Sequence, residues 1–439
     1  MLRKKFWRRS DASHDRRQQP AIEATSENGR IMMLFRSRSV LLAGAALALL
    51  LSSPVRAEIP NNALKLGVLT DLSGFAADST GPGSVVAAKL AVEDFKAEKP
   101  DLKVEVIQAD HQNKADIGGA LARRWIDVEK VDVILDVPFS SVALAVQEVV
   151  RGTRTAFIAS GPGTSLLTGE KCSPNTVHWT YDTWALAHGT ALALLRAKKD
   201  TWFFVTADYA FGHSLEKDAA DVVKAQGGKI LGTVRHPTGT SDFSSFLLQA
   251  QASKAKIVAL ANAVGDTVNS VKQASEFGLQ AGGQELAALL MQVTDVNAIG
   301  LNGAKGLYLT EGFYWDTNDG TRKFADRFAA QMNGKRPTAN QAGVYAGTLH
   351  YLRAAAAANS NDAQTVVAKM KELPSKDPLF GEGKVRADGR HIHNMYLFQV
   401  KTPAESKAPW DFYKLVETIP AAEAFRPMAE GNCPMVAKQ

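Results

Sequence analysis

The chain has 439 residues, 45% of them hydrophobic, with 51 Lys/Arg against 45 Asp/Glu and a formal charge of +6. The surplus is local: residues 1–57 hold 11 basic and 4 acidic side chains, leaving 40 (51 less 11) and 41 (45 less 4), a formal charge of −1. This balance excludes a basic nucleic-acid-binding face, no long apolar run follows residue 57, and the remaining length suffices for two domains.

The first element is RSRSVLLAGAALALLLSSPVRAEIP, residues 36–60. Its apolar run, 40–51, is twelve residues long, whereas a membrane-crossing helix needs ~20. Arg36 and Arg38 precede the run, Pro54 follows it, and Val55-Arg56-Ala57 presents small residues where a signal peptidase reads. An export signal cleaved after Ala57 is expected, with translation starting at Met32 or Met33 and residues 1–57 removed as a leader. The pairs Arg8-Arg9 and Arg16-Arg17 stand too far from the run to act as a twin-arginine signal.

From residue 64 onward, strand and helix patterns alternate. Strands are expected at 64–70, 103–108, 131–135 and 155–159, with helices at 84–98, 117–128 and 141–150. After Tyr181 a second run begins, with helices at 184–196, 214–225, 243–252 and 267–277 and strands at 201–206, 229–234 and 256–261. A strand at 306–312, helices at 322–332 and 339–358, and strands at 383–386 and 395–400 complete the reading. Such alternation predicts α/β architecture, with parallel sheets covered by helices on both faces.

Ligands of open parallel sheets bind where strand ends lead into helix N-termini. The loops there are DLSGFAADSTGPGS, DVPFSS, ASGPGTS, TADYAFGHS and ANAVGD, rich in Gly, Ser, Thr and aromatic residues and poor in charge. Hydroxyls and free N–H groups at such termini suit a carboxylate. Catalytic patterns fail: Gly161 to Lys171 lacks P-loop spacing, Gly212 to Glu216 lacks the last glycine of a nucleophile elbow, and HExxH is absent. No catalytic residue, metal or cofactor is assigned. His391 and His393 share one face of a strand and are expected to be a surface pair. Cys172 and Cys433, the two cysteines of an exported chain, are expected to form a disulfide that fastens the tail.

The succession LKLGVLTDLSG, GPGSVVAAKLAVEDF, VDVILDVPFSS, FIASGPGTSLLT and VTADYAFGHSLEKDA resembles the periplasmic solute-binding proteins of the leucine/isoleucine/valine-binding type that serve ABC transporters, over about 64–436. The resemblance implies a type I two-lobed fold with parallel sheets flanked by helices and three interlobe crossings, near Tyr181, Thr310 and His393. Lobe 1 would be 61–181 plus 311–393, and lobe 2 would be 182–310 plus 394–439. It also implies a monomer, a small-molecule carboxylate ligand and an ABC permease as partner.

Carried over at matching loops, the resemblance nominates Ser140, Ser141, Ser160 and Thr164 for the ligand carboxylate. Each is equally suited to cap a helix. Tyr209, Phe211 and Asn262 fall at second-lobe contact positions. Amino-acid-binding members place an acid for the ammonium in the loop reading LLMQVTDV; here Met291 or Gln292 stands there, with Asp295 three residues on. An unpaired buried ammonium is costly, so a ligand without an α-amino group is expected. Phe75, Phe139, Tyr181, Trp184, Phe313, Tyr314 and Trp315 also fall in or near cleft loops, and flat aromatic acids such as benzoates, phenylpropanoids or aryl keto acids match them. DYAFGHS and FAADSTGPGS resemble the subgroup taking up aromatic acids. The alternatives are a branched-chain amino acid receptor and a ligand sensor without a transport role.

Overall fold

The computed structural model describes residues 59–436. The expected export signal lies outside the described residues.

Strand β1 (Ala63–Thr70) is almost wholly buried from Leu66 onward, because it lies inside a sheet covered on both faces. Parallel pairing sets the order β2-β1-β3-β4-β5, with β2 (Lys103–Asp110), β3 (Val133–Asp136), β4 (Ala156–Ala159) and β5 (Thr176–His178). A second parallel sheet runs β7-β6-β8-β9, from β6 (Thr201–Ala207), β7 (Lys229–His236), β8 (Ile257–Ala261) and β9 (Glu285–Ala288). The helices α1 (Gly81–Glu98), α2 (Ala115–Arg124), α3 (Ser140–Val150), α4 (Thr183–Arg196), α5 (Ala210–Ala225), α6 (Ser244–Ala252) and α7 (Val264–Glu276) follow these strands in the expected alternation. Strands β5 and β9 and helix α8 (Val293–Ile299) carried no signal. Each is short, and Glu-Leu-Ala-Ala in β9 has little β preference.

Beyond β10 (Tyr308–Glu311), helices α9 (Asp319–Gln331) and α10 (Ala339–Ala358) pack on α1, and α11 (Ala363–Glu372) packs on α10. A small antiparallel sheet, β11 (Ser375–Asp377), β12 (Gly381–Val385) and β13 (His391–Ile392), follows. Then β14 (Met395–Val400) returns between β10 and β15 (Tyr413–Ile419), antiparallel to both. The molecule is thus a two-lobed α/β structure.

Three chain segments pass between the lobes side by side. His178 bridges to Arg390, the Nε2 of His393 pairs with the Thr180 carbonyl at 2.7 Å, and Gly312 packs against the His393 ring. His391 and His393 are fully buried in this bundle, which corrects the expected surface pair. Neighbouring rings explain it: His391 stacks on Trp179 at 3.8 Å, and His393 meets Phe380 and Phe425 edge-on. Burial lowers the pKa of His393 to about 4, so it is neutral at physiological pH.

The tail is fastened as expected by the Cys172–Cys433 disulfide. Arg426 also reaches the Ser165 carbonyl, and its own carbonyl accepts from Arg386.

Helix α5 is seated directly on the end of β6. A Cβ on Gly212 would lie 2.0 Å from the Ala207 carbonyl oxygen. Gly212→Ala is therefore expected to destabilise by at least ~1–3 kcal/mol, the usual cost of overpacking, read from urea unfolding of variant and parent. An unchanged midpoint would mean that α5 can lift off the strand.

Candidate functional site

The carboxyl ends of both parallel sheets point into one cleft. Its lining comes from Ala76, Ser79 and Thr80 after β1, Pro138 and Phe139 after β3, Gly161 and Gly163 after β4, and Tyr181 at the crossing. From the second sheet come Tyr209 and Phe211 after β6, Ala263 and Val264 after β8, and Leu290 after β9; Asn340 enters from α10. Not one of these side chains bears a charge.

Rings dominate the walls. Phe139 packs edge-on against Phe75 at 5.2 Å and lies 5.9 Å from Tyr209, which lies 5.9 Å from Phe211. This chain of rings spans from the first sheet to the second. Gly163 lets a ring approach, since a Cβ there would stand 2.7 Å from the Phe211 ring, and Gly161 makes room for the β3 loop, since a Cβ there would stand 2.7 Å from Asp136 Oδ1. The free space between these walls is about 30 Å³ and opens to solvent, room for a few water molecules and less than an aromatic acid fills. An aromatic acid therefore needs the rings or lobes to part. A larger concavity of about 890 Å³ lies at the opposite end of the first sheet, around Pro60, Lys65 and Lys103. Strands begin rather than end there, so no fan of helix N-termini converges on it.

The loop after β3 is strained. Asp136 and Val137 adopt φ of 77° and 56°, unusual for any side chain and more so for a β-branched one. The buried Asp136 carboxylate helps hold this turn, accepting from Thr70 Oγ1 at 2.8 Å, and Thr70 Oγ1 in turn accepts from Gly81 N at the start of α1. Burial raises the pKa of Asp136 to about 6.

Of the hydroxyls nominated for a carboxylate, Ser160 is buried with Oγ unpartnered, and Ser141 is half-buried at the start of α3. Ser140 Oγ accepts from Thr164 N at 3.1 Å, and Thr164 Oγ1 pairs with Ser214 Oγ at 2.7 Å. Ser140 and Thr164 thus tie the β3 and β4 loops to each other and to helix α5. Tyr181 donates its hydroxyl to the Gly161 carbonyl at 3.1 Å.

Other nominated residues lie elsewhere. Trp184 stacks on His188 at 4.1 Å and lines a separate outer groove with Lys217 and Arg426, because the first turn of α4 presents it away from the cleft. Asn262 is buried beneath the start of α7, accepting from Thr267 Oγ1 at 2.9 Å. Gln292 caps α8 and accepts from Ala339 N at 3.2 Å. Phe313, Tyr314 and Trp315 are buried in the core, Tyr314 and Trp315 both donating to the Trp410 carbonyl. Asp295 is engaged in the capping box, its Oδ2 accepting from Gln292 N at 2.8 Å.

Ser79, Thr80, Pro138 and Leu290 lie in loops that the sequence pointed to without being nominated singly, and Asn340 was missed altogether. A signal for Asn340 was present, since Thr338 and Gln341 form a capping box at the start of α10. What could not be seen was that this helix end reaches the cleft. Among the described residues no cluster of metal-ligating side chains occurs, and no helix is long and apolar enough to cross a membrane.

The chain matches the family model for periplasmic binding proteins over residues 63–407. A periplasmic binding protein from Burkholderia mallei is 48% identical, aligned over 85% of this chain and 99% of its own, with a TM-score of 0.83. A branched chain amino acid ABC transporter periplasmic ligand-binding protein from Burkholderia xenovorans LB400 is 38% identical over 85% and 99%, with a TM-score of 0.76. A solute binding protein of an ABC transporter from Rhodopseudomonas palustris BisB5, in complex with 3,4-dihydroxy benzoic acid, shares the fold at 22% identity over 82% and 98%, with a TM-score of 0.74. Fold, cleft and family match agree, and the chain belongs to the periplasmic binding protein family as a substrate-binding protein of the ABC-transporter type.

Proposed function

We propose that this chain is the periplasmic receptor of an ABC importer, and that it takes a small aromatic carboxylic acid between its lobes. One observation carries the reading: the cleft is walled by Phe139, Tyr181, Tyr209 and Phe211, and no lining side chain is charged. A zwitterionic amino acid would need a carboxylate for its ammonium. The ligand carboxylate is assigned to the loops holding Ser141, Ser160 and Gly161, at the start of α3 and the end of β4. The ligand held by the Rhodopseudomonas palustris protein is of the same chemical class.

In this reading the lobes are 61–181 plus 311–393 and 182–310 plus 394–439, with the tail around 426–433 strapped back to the loop at 165–172. The leader directs export, a permease reads the rims of the two lobes, and the monomer releases its ligand chemically unchanged.

A thermal-shift screen of refolded, ligand-stripped protein tests this against benzoates, phenylpropanoids, aliphatic acids and branched-chain amino acids. Ligand at ~100 Kd adds ~2.7 kcal/mol of apparent stability. Shifts confined to aromatic acids are expected, and a shift with leucine but no aromatic acid would replace this reading with an amino acid receptor. Tyr209 is half-buried, and Tyr209→Ala is expected to weaken aromatic-acid binding about 5–10-fold by titration calorimetry. Phe211, only 3% exposed, is a less clean probe, since Phe211→Ala also removes core packing worth ~3–5 kcal/mol.

A further inference from the structure

Helix α5 and the loop after β4 meet along a seam of buried polar side chains. Phe211, Ser214 and Asp218 stand about one turn apart on one face of α5, and they meet Gly163, Thr164 and Ser165 in the same order. The Phe211 ring packs on Gly163, Thr164 Oγ1 pairs with Ser214 Oγ at 2.7 Å, and Ser165 Oγ donates to Asp218 Oδ2 at 3.0 Å. Thr183 Oγ1, at the start of α4, donates to the same Oδ2 at 2.6 Å and accepts from Ser165 N at 3.2 Å.

The loop belongs to the first sheet and α5 to the second, so the seam joins the two lobes beside the cleft that Gly163 and Phe211 line. It is nearly dry: Thr164 and Thr183 are fully buried, and Ser165, Ser214 and Asp218 are at most 8% exposed. Burying a carboxylate is costly, and a well-packed apolar seam would be at least as stable. The polar seam differs in what happens on separation. Hydroxyls and a carboxylate exchange their bonds for bonds to water, whereas parted apolar faces would stand exposed. Water has a way in, since a groove of about 310 Å³ between α4, α5 and the tail, lined by Trp184, Lys217 and Arg426, has Asp218 on its wall.

We propose that Ser214 and Asp218 form, with Thr164, Ser165 and Thr183, a reversible latch that holds the two lobes closed and sets how readily the cleft opens. Closing brings the hydroxyls of the loop to their acceptors on α5 without reshaping either element. Opening returns them to water. Asp218 is the centre of the latch, because a single carboxylate oxygen takes one hydroxyl from the loop and one from the crossing, and a bond to a charged acceptor is the stronger kind. The latch acts whatever the cleft takes; that it sets how long a ligand stays rests on the receptor reading above.

The test is small-angle X-ray scattering of the purified, ligand-stripped protein, comparing the parent with Asp218→Ala, Ser214→Ala and Asp218→Asn. The closed-to-open ratio, read from the radius of gyration, is expected to fall about tenfold in Asp218→Ala, the effect of losing hydrogen bonds to a charged group, and about threefold in Ser214→Ala, which loses a neutral one. Asp218→Asn keeps an acceptor oxygen and is expected to stay close to the parent, an outcome that general damage to α5 would not give. Urea unfolding of each variant checks that the fold is intact, and Ser214→Ala carries the test if Asp218→Ala fails to fold. Equal radii for the parent and both alanine variants, or an Asp218→Asn protein as open as Asp218→Ala, would overturn the latch. No ligand is present, so that failure leaves the receptor reading standing, and failure of aromatic acids to bind leaves the latch standing.

Discussion

Arg390→Leu is expected to destabilise the protein by about 3–5 kcal/mol. The guanidinium is fully buried and donates to three carbonyls, those of Tyr181 at 2.7 Å, Trp179 at 2.5 Å and His391 at 3.0 Å. Asp182 lies 3.7 Å away and the ring of Phe425 at 4.7 Å. Leucine would fill part of the space but leave the carbonyls unpaired at ~1–3 kcal/mol each, and Asp182 without its counter-charge. Burial, partly offset by Asp182, lowers the arginine pKa to about 10, so the charge persists at neutral pH. Because these carbonyls belong to interlobe segments, ligand affinity should fall as well. Urea unfolding with linear extrapolation reads the stability; a loss under ~1 kcal/mol would show that the crossings hold without the arginine.

The second large effect is expected from the disulfide. The double variant Cys172→Ser, Cys433→Ser should lose ~2–4 kcal/mol, since the bridge closes a loop spanning 261 positions and constrains the unfolded chain. Its tail would still hold Arg426 against the Ser165 carbonyl, so local fraying rather than global collapse is the expected first step. Reductant should lower the unfolding midpoint of the parent and leave the double variant unmoved. Equal sensitivity of both would place the stabilisation outside this bridge.

Much of the fold was legible because its signals are local. Alternating apolar strands and helix periods place β1 to β4 and α4 to α7 close to their observed bounds, since each element must bury its own face. The short elements β5, β9 and α8 escaped, because a run of three to seven residues has no period of its own and is held by neighbours. Residues 391–393 show the same limit from the other side. A His-x-His strand reads as generic until Trp179, Phe380 and Phe425 close around it.

The site divides along the same line. The sequence by itself determined which loops end the strands, that they are aromatic and poor in charge, and that the two cysteines pair, because composition and strand order are properties of the chain. Tertiary structure alone decided which aromatic faces the cleft. Tyr209, Phe211, Phe139 and Tyr181 line it, whereas Trp184 turns outward and Phe313, Tyr314 and Trp315 are spent on the core. It also brought in Asn340, from a segment remote from the loops that carry the aromatic signal. A side chain's direction depends on what the opposing element leaves open, and that packing is fixed only when both lobes are in place.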